Sequence, residues 1–202
     1  PRVTGKQAGG GLGEGAVGQP LALGERGVGA LGAPVALLHG TEELFFELAI
    51  EDLSRAAELF HSIFERTDGV DGWVSLEVSP VLAYDTTATI AAAKALHTRA
   101  GRPNLLIKIP GTREGLPAIE EAIFSGIPVN VTLLFSCEQY LAAAEAFLRG
   151  IERRIEAGLK PEVGSVASLF VSRWDAAVAP RVPEALHNQL GVAIGRRTYA
   201  AY

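Results

Sequence analysis

From Thr41 onward the chain alternates between two hydrophobic periodicities, and this alternation restricts the folds open to it. Residues 41–66, 86–99, 114–125, 138–157 and 183–202 read as helices, and residues 73–80, 104–110, 128–136 and 165–173 read as short strands. The boundaries have chemical causes. Thr41 is a helix cap followed by Glu42 and Glu43, anions that suit a helix N-terminus. Asp85 caps the second helix, and Gly101, Gly126 and Gly158 follow the ends of later ones. In the first helix Leu44, Leu48, Leu53, Ala56 and Leu59 form the expected apolar stripe. The order α-βα-βα-βα-βα implies a parallel sheet with right-handed crossovers. A doubly wound sheet and a (β/α) barrel both satisfy it.

The parity of the polar residues favours the barrel. Side chains of a strand alternate between faces. In the first strand Ser75, Glu77 and Ser79 share one face, and Val74, Leu76 and Val78 share the other. In the third, Asn130 and Thr132 oppose Val129, Val131, Leu133 and Phe135. In the fourth, Ser168 and Ser172 oppose Ala167, Leu169 and Val171. A doubly wound sheet buries both faces under helices and calls for two apolar faces. A barrel covers one face with helices and turns the other into a lumen whose chemistry sits near the C-terminal strand ends.

The second strand, LLIKIP, sets one lysine in an apolar run, with Leu106, Lys108 and Pro110 on the lumen-side parity. Burying a lysine is costly and disfavours its ammonium form. A neutral amine attacks carbonyls and forms Schiff bases, so Lys108 is the candidate nucleophile. Glu77 has the same parity one strand away and serves either as general acid/base or as an ion-pair partner of Lys108. Thr132, Asn130 and Ser168 are placed either to bind a water or substrate hydroxyls or to satisfy one another in the core. Arg173, at the end of the fourth strand, reads either as a rim anion ligand or as a surface arginine.

Several function classes recede on composition. The net charge of −5 gives no reason to expect nucleic acid or an anionic membrane as partner, and no apolar run reaches the length of a membrane span. Cys137 is the sole cysteine, which excludes a disulfide framework or thiolate metal site and points to a reducing, cytoplasmic setting. His39, His61, His97 and His187 show no ligand spacing. Residues 1–40 hold 12 of the 23 glycines and no aromatic residue, and they read as a disordered segment apart from the domain of residues 41–202. Two G-x-G-x-x-G matches there, at residues 13–18 and 27–32, follow no strand of a βαβ unit and read as chance. The chain starts at Pro1 and has no methionine, as a trimmed or partial reading frame would.

The pieces EELFFELAIEDL (42–53), VSLEVSP (74–80), IKIPGTREGL (107–116), VNVTLLFS (129–136) and SVASLFVSRWD (165–175) together resemble the transaldolase family over residues 40–202. The branch resembled is the one also found fused to glucose-6-phosphate isomerase. The resemblance implies a class I, Schiff-base transfer of a dihydroxyacetone unit between sugar phosphates in the pentose phosphate pathway, without metal or cofactor. It further implies that Lys108 is the Schiff-base lysine, and that Glu77 and Thr132 position the catalytic water. Asn130 and Ser168 match substrate-contacting residues, and Arg173 matches a phosphate-binding arginine. The fold implied is α/β, the third to sixth units of a (β/α)8 barrel with parallel strands and outer helices.

The family's first-strand aspartate and second-strand asparagine have no counterpart, because residues 1–40 contain neither Asp nor Asn. The last two barrel strands are expected beyond Tyr202. A catalytically impaired fragment is therefore the alternative reading, and a class I sugar-phosphate aldolase a weaker one. The open sheet edges of such a fragment favour association.

Overall fold

The computed structural model describes residues 40–202, and residues 41–202 form one unit. The expected disorder of residues 1–40 and both glycine-rich matches lie outside the described residues, apart from Gly40. The elements are α1 (Thr41–Arg66), β1 (Val74–Glu77), α2 (Thr86–Ala100), β2 (Leu105–Pro110), α3 (Gly115–Phe124), β3 (Val129–Leu134), α4 (Cys137–Glu156), β4 (Ser165–Leu169), α5 (Ser172–Val178) and α6 (Leu190–Ala201). Single 3-10 turns cover Pro80–Leu82, Ala179–Arg181 and Glu184–Leu186.

The four strands pair in parallel in the order β1-β2-β3-β4. A doubly wound sheet reverses its strand order at a switch point. This sheet does not, so right-handed crossovers bring every connecting helix to the same face. The core confirms it. Leu76 and Val78 of the first strand segment, Leu105, Ile107 and Ile109 of β2, and Val129 and Val131 of β3 share one buried cluster with α2, α3 and α4. This is the parity expected for a (β/α) barrel wall.

Local sequence explains the joints. The Asp85 carboxylate accepts from Ala88 N–H and caps α2, whose last turn closes on Gly101 in the left-handed region at φ 57°. Ser136 caps α4 in the same way through Gln139 N–H. Asn104, almost fully buried, donates from Nδ2 to Ala57 O at 2.8 Å and Gly72 O at 2.9 Å. That amide ties α1 to the entrances of β1 and β2. Gly115 is demanded by close approach, since a Cβ there would lie 1.9 Å from Pro110 O at the end of β2.

Three expectations are corrected. In α1 the stripe facing the core is Phe46, Ile50, Leu53 and Ala57, spaced i, i+4, i+7, i+11, whereas Leu48 and Leu59 point to solvent. The choice between two overlapping apolar stripes was made by packing against β1, not by spacing. In β3 the register shifts between Val131 and Leu134, and Leu133 adopts a φ of +59°. The extra residue puts Leu134, rather than Leu133, into the core. Finally, β4 stops at Leu169, Ser172 begins a short helix, and residues 183–202 are not one helix but a 3-10 turn followed by α6. Phe170 N–H donates to Leu134 O at 2.8 Å, after which the chain turns into α5.

The helical layer is laced by ions. Glu120 of α3 meets Arg149 and Arg153 of α4, while Glu121 meets Arg153 and Lys94 of α2. The Arg153 guanidinium also lies 4.1 Å from the centre of the Phe124 ring. The hydrogen bond from Arg149 holds the Glu120 carboxyl below its usual pKa, and that from Lys94 does the same for Glu121. A carboxylate with a depressed folded pKa contributes stability that is present above its unfolded value and lost as pH falls through the folded one. The expected outcome is a melting temperature that drops on acidification below about pH 4.5. The double variant Glu120→Gln, Glu121→Gln should be less stable at pH 7 and lose less on acidification. Parallel melting curves for the two proteins between pH 7 and pH 3 would show that this network does not govern acid sensitivity.

Candidate active site

The concave face opposite the helices gathers the predicted side chains because the register brings them level. Glu77 pairs with Lys108 across β1 and β2, Lys108 with Asn130 across β2 and β3, and Pro110 with Thr132. Lys108 Nζ lies 3.7 Å from Glu77 Oε2. The strand around Lys108 is buried, but the side chain itself is 28% exposed and that of Glu77 is 46% exposed. The lysine side chain is thus partly open although its strand is buried. The amine opens onto the lumen beside a carboxylate and has room to meet a solute.

Next to this pair stands a hydrogen-bonded relay. Asn130 Nδ2 donates to Ser75 Oγ at 3.1 Å, and Ser168 Oγ donates to Asn130 Oδ1 at 2.8 Å. Ser75 and Asn130 sit on strands separated by β2. In a flat sheet their backbones would stand about 9–10 Å apart. Two short side chains meet over that gap because the sheet curves toward this face, as a barrel wall must. Asn130 is 9% exposed and Thr132 is 1% exposed.

Arg173 is not at the end of a strand, as expected, but in the first turn of α5. It stacks on Phe170, with its guanidinium carbon 4.4 Å from the ring centre. Thus Lys108, Glu77, Asn130 and Ser168 are linked directly by pairing or hydrogen bonds, while Arg173 stands on the rim beyond β4. The residues that sequence did not single out are Ser75, which accepts from Asn130, and the aromatic pair Phe135 and Phe170. Ser75 carried a signal, since it shares parity with Glu77. Among the described residues no cluster of His, Cys, Asp or Glu has the form of a metal site, and no helix is long and apolar enough to cross a membrane.

A parallel sheet with helices on one face, and a lysine beside a carboxylate on the other, is of the (β/α)-barrel class. Residues 29–202 match the profile of the family described as Transaldolase/Fructose-6-phosphate aldolase, and this chain belongs to that family. The match begins ahead of Gly40, where the sequence motifs start. The chain is 48% identical over 169 residues to a protein named Transaldolase from Thermobifida fusca, covering 80% of this chain and 46% of the relative. It is 46% identical to Transaldolase 2 of Streptomyces avermitilis, over 80% of this chain and 45% of the relative. It is 49% identical to the Transaldolase of Acidothermus cellulolyticus, over 77% and 44% respectively. The chain therefore spans a little under half the length of these relatives.

The relay makes a separable prediction. Asn130→Ala leaves the hydroxyls of Ser75 and Ser168 without their shared partner inside the wall. The expected cost is about 1–3 kcal/mol of unfolding free energy, measured by urea denaturation. An unchanged midpoint with an unchanged slope would show that the relay adds nothing to stability.

Proposed function

We propose that this chain supplies the imine-forming wall of a transaldolase, which moves a dihydroxyacetone unit from a ketose phosphate to an aldose phosphate. The observation that supports it best is Lys108 on a concave polar face, in register with Glu77 and Asn130. In this reading the Lys108 amine adds to the C2 carbonyl of the ketose, and the carbinolamine loses water to give an iminium ion. A base takes the proton of the C4 hydroxyl, the C3–C4 bond breaks, and its electron pair passes into the iminium to leave an enamine. The aldose phosphate departs, the enamine carbon adds to the acceptor aldehyde, and water hydrolyses the new imine and frees the lysine. Glu77 and Thr132 hold the water that carries these protons, and the Glu77 carboxylate stands 3.7 Å from the amine. Asn130 and Ser168 hold substrate hydroxyls, and Arg173 takes a phosphate. This reaction belongs to the pentose phosphate pathway in the cytoplasm.

A second reading rests on the family description, which joins transaldolase to fructose-6-phosphate aldolase, and cleavage without transfer uses the same lysine.

The test is reduction with borohydride in the presence of fructose 6-phosphate, followed by peptide mass spectrometry. An adduct at Lys108, absent in Lys108→Ala, is expected. Where turnover is measurable, Glu77→Gln should lower it about 10²-fold while leaving the adduct in place. Product formed without acceptor aldehyde marks the aldolase reading, and an adduct without product shows imine formation uncoupled from transfer. Labelling elsewhere, or none, refutes the lysine assignment.

A further inference from the structure

We propose that Phe135 is a positioning residue for Arg173, through which the end of β3 fixes the orientation of the guanidinium on the rim. Phe135 is held at three points. Its N–H donates to Gln139 Oε1 of α4 at 2.8 Å. Its carbonyl accepts from Trp174 Nε1 of α5 at 2.7 Å. Its ring stacks on Phe170 with centroids 5.3 Å apart and planes inclined by 19°. Arg173 then lies over Phe170, 4.4 Å from the ring centre. Trp174 is the next residue of the same helix, so Phe135 fixes Arg173 twice, through the stacked rings and through the backbone of α5.

The manner of holding matters. Arg153 is held by the carboxylates of Glu120 and Glu121, and Arg197 by that of Glu138. Arg173 is held by an aromatic face, and no ion pair to it exists among the described residues. A cation–π contact orients a guanidinium without neutralising it and leaves the edge N–H groups to face an anion. The bulge at Leu133 belongs to the same device. By inserting one residue into β3 it moves Leu134 to the core side, so the strand reaches Phe135 in the phase that meets Phe170.

The inference rests on the proposed function for its substrate, an anionic ketose, and is tested so that the two can fail separately. Borohydride trapping at Lys108 is titrated with fructose 6-phosphate and with dihydroxyacetone, which lacks phosphate. In Phe135→Leu the half-saturating concentration of fructose 6-phosphate should rise about tenfold more than that of dihydroxyacetone. Phe135→Tyr, which keeps the ring, should restore the ratio, and adding Phe135→Leu to Arg173→Ala should change it no further. An equal rise for both ketones, or none, would refute the positioning role. If the wild-type chain is not labelled at all, the Schiff-base reading falls and the positioning role is decided by inorganic phosphate. The Arg173 Nε–H resonance should shift with phosphate, at a midpoint about tenfold higher in Phe135→Leu. No shift, or the same midpoint in both proteins, overturns it.

Discussion

The site depends on register more than on any one contact. In a parallel sheet, moving one strand by a single residue reverses every side chain on it. Here the alignment of Val74 with Leu105 and of Ile107 with Val129 carries Glu77, Lys108 and Asn130 to one level on one face. The same alignment delivers Leu76, Ile107 and Val129 to the helices. Core burial and site assembly are therefore one constraint. A shift that spoiled the site would also expose the core, which makes the polar arrangement as stable as the apolar one.

That coupling explains what could be read from sequence. The shared face of Lys108, Glu77, Asn130 and Thr132 was legible because regular alternation in β1 to β3 separates polar from apolar residues, and because strands about one helix apart line up in order. The caps at Asp85 and Gly101 were legible because their chemistry is local. The phase of β3 beyond Val131 was not, because a bulge leaves no residue-type signature when its left-handed position is filled by leucine rather than glycine. The end of β4 was not legible either, since SLFVSRW continues the alternation while the backbone turns into α5. In α1, two apolar stripes overlap, and tertiary packing selected the one through Phe46 and Ile50. The openness of the Lys108 side chain is a property of the lumen as a whole, and no single strand encodes it.

The two faces of the sheet are stabilised by different means. On the convex side, helices α2 to α4 contribute burial and an ion-pair lattice at their outer surface. On the concave side, the short relay of Ser75, Asn130 and Ser168 joins three strands without any helix. Such a relay keeps the polar face curved while leaving the Lys108 amine paired with Glu77 alone, at 3.7 Å.

The left-handed Leu133 divides β3 into two halves that obey opposite rules. Before it, the odd-numbered positions Val129 and Val131 are buried against helices. After it, an even-numbered position, Leu134, takes over that role. Tolerance to substitution along this strand should therefore change phase partway, a hiccup that a period-two pattern cannot describe. Inserting or deleting one residue at the bulge would turn Leu134 away from the core it now fills.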